Sequence, residues 1–145
     1  MLPDLRTLRL FSPGSVSMIM FLVMAFAYMP SYSQDDDLLT VGQIMNGIIA
    51  PMTSTIWGAY DIQTEQQWQE LENAAITVIA AGTLLESAGI NSSQQDWRTF
   101  NQQMIDAART ALVAIGNQDE EALFAAGNDQ LYPPCESCHQ RYMPQ

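Results

Sequence analysis

The sequence predicts an all-α fold, arranged as an antiparallel four-helix bundle. Apolar residues recur at three- and four-residue spacing through most of residues 38–131, which is the period of an amphipathic helix. Patterns typical of helix starts precede these stretches, and glycine or asparagine follows them. No stretch alternates between apolar and polar residues for long enough to predict a strand. Amphipathic helices joined by short loops are expected to pack side by side as a bundle.

Residues 1–33 are predicted to be a cleavable secretory signal peptide. Arg6 and Arg9 supply a positive region before the uncharged apolar run of residues 16–29, and Ser31-Tyr32-Ser33 provides small residues for cleavage. The apolar run is about 14 residues long, whereas a membrane span needs roughly 20. We therefore expect no stable membrane insertion, and residues 34–145 form the mature domain.

The first helix is predicted to follow the acids at residues 35–37, which suit the positive end of a helix dipole, and to end near Gly58 and Asp61. Pro51 falls inside it and is expected to kink or restart the helix, because proline lacks the backbone N–H and clashes with the preceding turn. The predicted apolar stripe consists of Leu38, Val41, Ile44, Met45, Ile48, Ile49, Met52, Ile56 and Trp57.

The second and third helices are each predicted from a capping-box pattern. Thr64-x-x-Gln67 starts a helix from about Glu65 to Ser87, and Ser92-x-x-Gln95 starts one that reaches about Ile115. The small residues Ala74, Ala75, Ala80, Ala81 and Gly82 would allow close helix approach. The apolar faces are predicted to be Trp68, Leu71, Ala75, Val78, Ile79 and Leu85, then Trp97, Phe100, Met104, Ala107, Ala108, Ala111 and Leu112.

The fourth helix is predicted to begin near Asp119, after a start signal formed by Asn117 and Glu120. Gly127 and the pair Pro133-Pro134 predict a break, with a short last helix that starts near Pro134, because proline suits the first turn of a helix. The fourth helix carries the apolar residues Leu123, Phe124 and Leu131.

The short last helix contains Cys135-Glu-Ser-Cys138-His139, a C-x-x-C-H motif typical of covalent haem c attachment. A helical spacing of three places both thiols on one face, where they can form thioethers with the two vinyl groups of the porphyrin. The adjacent imidazole of His139 can then bind the iron as its proximal ligand. The sequence contains two cysteines and one histidine, and the motif holds all three.

A zinc site, a redox-active cysteine pair and a disulfide each account for the C-x-x-C-H motif less completely than haem attachment does. A structural zinc site needs four Cys or His ligands, and a thioredoxin-like redox pair expects a βαβ context. A disulfide between Cys135 and Cys138 would be strained across one helical turn and would leave His139 without a role. The alternative is an exported helical module with that disulfide and no haem. A colourless protein from a host that makes c-type cytochromes would support this alternative.

The chain is strongly acidic, with a formal net charge of −11 that becomes about −12 when residues 1–33 are removed. The mature domain has no lysine, and its basic residues are Arg98, Arg109 and Arg141. This argues against binding to nucleic acid or anionic lipid, since phosphates would not be neutralised. The acidity favours a redox partner with a basic docking face or simply keeps the exported protein soluble. The acids are scattered and there is no second histidine, so we expect no enzymatic turnover.

With the motif and the helices in view, residues 34–145 resemble the class II c-type cytochromes, the cytochrome c′ family. Those proteins are four-helix bundles whose last helix carries C-x-x-C-H followed by C-H-x-x-aromatic, here Cys138-His139-Gln140-Arg141-Tyr142. The resemblance implies one haem c on Cys135 and Cys138, iron bound by His139, and a periplasmic location. It departs at Met143, where many members have Arg or Lys.

The resemblance also implies that the first helix faces the other axial position of the iron. In low-spin members a methionine of that helix binds the iron, and Met45 occupies the corresponding part of this sequence. Met52 is the alternative, two turns or about 10.5 Å further along the helix, and Met104 is expected to be core. With His and Met ligands the protein would carry single electrons. Without the methionine, the five-coordinate iron would bind nitric oxide or carbon monoxide. A homodimer through the first two helices is also implied as possible.

Overall fold

A computed structural model describes residues 39–89 and 91–143, and this part of the chain forms four helices and no strand. We label them α1 (residues 41–57), α2 (Glu65–Leu85), α3 (Gln95–Gly116) and α4 (residues 120–142). The all-α prediction is confirmed. The expected signal peptide, residues 1–33, and the acids at 35–37 lie outside the described residues.

Hydrogen-bonded caps begin α1, α2 and α4. Thr64 and Gln67 form the predicted capping box: Gln67 N donates to the Thr64 hydroxyl at 3.2 Å, and Thr64 N donates to Gln67 Oε1 at 2.9 Å. Thr40 and Gln43 form the same box at the start of α1, a Thr-x-x-Gln signal that sequence reasoning passed over in favour of the preceding acids. The Asp119 carboxylate accepts from Ala122 N at 2.9 Å, so α4 begins close to the predicted position. The predicted start signal of Asn117 with Glu120 is wrong, because Asn117 is the C-cap of α3.

The predicted capping box at Ser92 is wrong. α3 begins at Gln95 after Gln94, which makes no side-chain cap. Gln94 N donates to the carbonyl of Asn91 at 2.9 Å, so Ser92 lies inside a turn that precedes the helix. The Arg98 guanidinium donates to the carbonyls of Ser92 and Ser93, so those carbonyl groups are satisfied without helical pairing.

Two widened turns are found where a kink or restart was predicted at Pro51 and a break was predicted between Gly127 and Pro134. Met45–Ile49 and Ala126–Leu131 are π-helical, and each directly precedes a helical segment with proline in its first turn. The N–H of Ala50 donates to the carbonyl of Met45, and that of Tyr132 donates to the carbonyl of Gly127, five residues back in each case. A π turn accommodates the proline ring and its missing donor without interrupting the helix. α1 and α4 are therefore continuous.

All four helices contribute to one hydrophobic core, in which α2 packs closely on α3. A Cβ added to Gly82 would lie 2.5 Å from Ile105 Cγ1, so glycine is what lets the two helices approach at this point. Phe124, one of the apolar residues of α4, lies outside the core, since 66% of this residue is exposed. Leu123 takes the core position there, and the next residue on a helix points about 100° away. None of the described helices is both long and apolar enough to cross a membrane.

Candidate functional site

The C-x-x-C-H motif forms one wall of an apolar cavity of about 280 Å³. This volume lies near the lower end of the range for ligand pockets, which begins at roughly 300 Å³. α1 contributes Val41 and Met45, and the α2–α3 region and α3 contribute most of the remaining wall. The main lining residues from α3 and α4 are Trp97, Phe100, Asn101, Met104, Pro134, Cys135, Cys138, His139 and Tyr142.

Both cysteines of the motif are free, half-buried, and packed against the hydrophobic core. Burial, with the neighbouring Cys138 as a smaller cause, raises the pKa of the Cys135 thiol to about 11. Burial also raises the pKa of Cys138. A redox-active C-x-x-C pair typically has a thiol pKa below the ordinary value, and burial shifts the pKa of these two thiols in the opposite direction. His139 follows on the exposed surface of α4 while still lining the cavity.

Met45 is the methionine of α1 that reaches the cavity. It is half-buried and belongs to the π turn Met45–Ile49, whereas Met52 is packed against the core and does not line the cavity. The structure therefore brings Met45 together with the motif and leaves Met52 apart. This placement is compatible with the prediction that His139 and Met45 bind the same iron.

Met104 was expected to be core, and it is 5% exposed. It also lines the cavity, which the sequence did not indicate. Its terminal methyl Cε would lie 3.2 Å from a Cβ on Gly82, so the end of the side chain is packed against α2. Met45 is the better placed thioether of the two for a group held by the motif.

Tyr142 clamps the end of α4 onto the start of α3. Its ring stacks edge-on against Trp97, with centroids 5.2 Å apart and an interplanar angle of 76°. Its hydroxyl donates to Gln94 Oε1 at 3.3 Å. One residue earlier, Arg141 pairs with Asp96 at 3.4 Å on the exposed surface. These contacts hold the motif over the cavity, and they direct Arg141 toward α3.

Asn101 is a buried polar residue in the cavity wall that sequence reasoning missed. It is 7% exposed, and its Nδ2 donates to the carbonyl of Gly82 at 2.9 Å. Its Oδ1 is buried and has no hydrogen-bond partner. The signal was available, because Asn101 lies four residues after Trp97 and three before Met104, within the apolar stripe of α3.

This set of residues fits a covalently attached haem. Two thiols and an imidazole share the cavity with the thioethers of Met45, Met104 and Met143, which are the side-chain types that tether a haem and bind its iron. No group of three or more His, Cys, Asp or Glu side chains in residues 39–89 and 91–143 is arranged to hold a free metal ion. A haem iron would need only one or two side-chain ligands from the protein, because the porphyrin supplies the others.

No family model, curated protein or solved structure matches this chain. The likeness to the cytochrome c′ family therefore stays a prediction from the sequence. The residues of the cavity and their geometry are what support a function.

Proposed function

We propose that this chain is an exported c-type cytochrome, built as an antiparallel four-helix bundle, that carries single electrons through a haem c bound to Cys135 and Cys138. The observation that supports it most is the shared cavity. Met45 from α1 and the C-x-x-C-H motif from α4 line the same space, although about 90 residues of sequence separate them. When bound, the haem supplies an iron that alternates between the ferric and ferrous states.

Each residue of the motif has a distinct task in this proposal. The thiols of Cys135 and Cys138, which share one face of α4, would tether the haem through two thioethers. The imidazole of His139 would bind the iron. Tyr142 keeps the motif in place through its contacts with α3.

Met45 is proposed as the distal ligand. As an iron ligand, the Met45 thioether would favour the ferrous state and so would raise the reduction potential. A filled coordination sphere suits electron transfer rather than ligand binding. Val41, Phe100 and Trp97 give the cavity apolar walls, which would surround a bound haem with a largely apolar environment.

The proposed partner is a redox protein with a basic docking face in the periplasm. Of the three arginines in the mature domain, Arg109 pairs with Asp106 and Arg141 with Asp96, so most acids are left to face solvent. Beside the motif, Trp57 and Tyr132 stack edge-on at 6.3 Å and are 39% and 52% exposed. Glu136 lines the same surface groove as these two rings, and exposed aromatic residues beside acidic charge suit transient docking to a basic partner.

The location and oligomeric state belong to the same proposal. Residues 1–33 would direct export, and the mature domain would act without enzymatic turnover. A homodimer through the first two helices belongs to the proposal as well, without support from the small residues of α2, because Ala74, Ala75, Ala81 and Gly82 are buried within the chain itself.

The test is to express the full chain in a host that matures c-type cytochromes and to record intact mass and absorption spectra. We expect a periplasmic protein with covalent haem and a weak sulfur-to-iron band in the near red when oxidised. Met45→Ala should abolish the band, whereas the matched control Met52→Ala should retain it. A high-spin ferric spectrum in the wild type would instead favour a five-coordinate protein that binds nitric oxide or carbon monoxide. A colourless protein of bare polypeptide mass would overturn the proposal.

A further inference from the structure

We propose that electrons pass between the haem and its redox partner through a surface groove beside α4, where the partner inserts the cationic side chain of a lysine or arginine. This inference rests on the proposed function and deepens it, because it names both the place where the partner docks and the contact that it makes. The groove has a volume of about 630 Å³ and is formed by Trp57 of α1 and by residues of α4 between Tyr132 and Met143.

The groove adjoins the cavity in which the haem is proposed to bind. Cys135, His139 and Met143 line both spaces, so one layer of residues separates them at this part of α4. Cys135 is a proposed tether of the haem, and His139 is the proposed ligand of its iron. Electron tunnelling weakens steeply with distance, so docking in this groove would be favoured because the partner contacts two residues that hold the haem.

Two aromatic rings provide faces on which a cation can lie. Trp57 and Tyr132 meet edge to face with an interplanar angle of 66°. The indole nitrogen of Trp57 donates to the Gly127 carbonyl at 3.0 Å, which holds the ring against α4 before any partner binds. Such a preorganised pair loses little conformational entropy on binding, and an ammonium or guanidinium group is attracted to the face of either ring.

The charge in the groove is negative and is not neutralised by the described part of the chain. The exposed Glu136 carboxylate accepts a hydrogen bond from Gln140 Nε2 at 3.3 Å and forms no salt bridge with another described residue. The three arginines of the mature domain are engaged elsewhere, since Arg98 donates to backbone carbonyls before α3, and Arg109 and Arg141 pair with acids of α3. A cationic side chain of the partner would supply the charge that Glu136 lacks.

Two small one-electron reductants probe the groove. Hexaammineruthenium(II) is a cation whose ammonia ligands resemble the ammonium group of lysine, and the iron(II) complex of EDTA is an anion. Each gives one electron to a ferric haem, which becomes ferrous, while the metal of the reductant becomes trivalent and no bond forms or breaks. Stopped-flow absorbance of the ferric holoprotein measures both rates at low ionic strength, where charge effects are least screened.

Glu136→Gln and Tyr132→Leu should each slow reduction by the ruthenium complex by roughly two- to fivefold, the factor expected for one exposed cation contact. Reduction by the iron complex should be unchanged in Tyr132→Leu and unchanged or faster in Glu136→Gln. The matched controls are Glu86→Gln, at an exposed residue next to Leu85 of the cavity wall, and Tyr60→Leu, at an aromatic residue that is 78% exposed. Both controls should keep the wild-type rates with either reductant.

A response that differs between the two reductants separates docking from a change in the haem itself, because an altered reduction potential would shift both rates in the same direction. Tyr132→Leu also leaves the net charge unchanged, so its effect does not arise from long-range attraction of the cation. Wild-type rates with the ruthenium complex in either groove variant, or an equal loss in its matched control, would overturn this inference alone. Equal slowing by both reductants would overturn it as well.

If Tyr132→Leu carries no haem, the comparison of Glu136→Gln with Glu86→Gln decides. A colourless wild type would overturn the proposed function and this inference with it.

Discussion

The indole nitrogen of Trp57 donates a hydrogen bond of 3.0 Å to the main-chain carbonyl of Gly127. The same carbonyl accepts the π-type bond from Tyr132 N, so the end of α1 is joined directly to the widened turn of α4. A Cβ on Gly127 would lie 3.3 Å from Trp57 Cδ1, so the absence of a side chain permits this close contact. Toward the other end of α1, Met45 and the motif of α4 instead line the cavity.

Trp57→Phe should destabilise the protein by about 1 kcal/mol, because it removes the donor to Gly127 and leaves the aromatic ring largely in place. The free energy of unfolding is measured by urea denaturation. Tyr60→Phe, at a residue that is 78% exposed, serves as the control and should change nothing. Equal stability of Trp57→Phe and the wild type would show that the bond to Gly127 contributes little.

Replacement of both motif cysteines by alanine should abolish covalent haem attachment, since no other thiol is present in the sequence. Cys135→Ala or Cys138→Ala alone should leave one thioether and a reduced yield of holoprotein. Intact mass after maturation in the periplasm measures the attachment. Ser137→Ala, inside the same motif, should attach haem normally. Normal haem attachment in the double cysteine variant would contradict the assignment of these thiols.

Pro51→Ala should convert the π turn Met45–Ile49 into an ordinary α turn, because alanine restores the N–H that proline lacks. A π turn holds about one residue more than an α turn, so this conversion would rotate the part of α1 before it by about 100° relative to the part after it. Met45 would then no longer line the cavity. We expect the near-red band to weaken while covalent haem remains. Ser54→Ala, at an exposed position of the same helix, is the control, and an unchanged band in Pro51→Ala would refute the role of the widened turn.

Gly82→Ala should destabilise the protein by roughly 1–3 kcal/mol, the usual cost of overpacking. The added methyl would lie 2.5 Å from Ile105 Cγ1 and 2.9 Å from Ile105 Cδ1, so α2 and α3 would have to separate. At Gly116 a Cβ meets nothing within 4 Å. The matched control Gly116→Ala should therefore be neutral or more stable by up to about 1 kcal/mol. Thermal or urea unfolding of the two variants measures the difference, and equal stabilities would argue against the close approach.

The helices were predictable because their signals are local. Thr64 with Gln67 and Asp119 with Ala122 make hydrogen bonds over three residues, so the sequence alone contains both partners. The error at Ser92 has a related cause. The same capping pattern occurs here in a turn, where the side chain of Arg98 donates to the carbonyls of Ser92 and Ser93. A capping rule that considers only four consecutive residues does not include this hydrogen bonding from Arg98.

The continuity of α1 and α4 was not predictable from the prolines. Proline at residue 51 removes one donor, and whether the chain then breaks or widens into a π turn depends on what packing gains from a continuous helix. Here Ile49 and Ile56, on either side of the proline, are both buried in the core. A break between them would expose apolar surface, so the widened turn is the less costly solution.

The sequence by itself determined the all-α class, the capping box at Thr64 and the C-x-x-C-H motif, because each depends on residues within one or two helical turns of one another. Only the tertiary structure decided that Met45, rather than Met52, shares a cavity with the motif, and that Asn101 is buried with its amide bound to the Gly82 carbonyl. Those facts depend on how α1, α3 and α4 pack across the core, and side-chain positions set by packing between distant segments are not encoded in any short stretch of sequence.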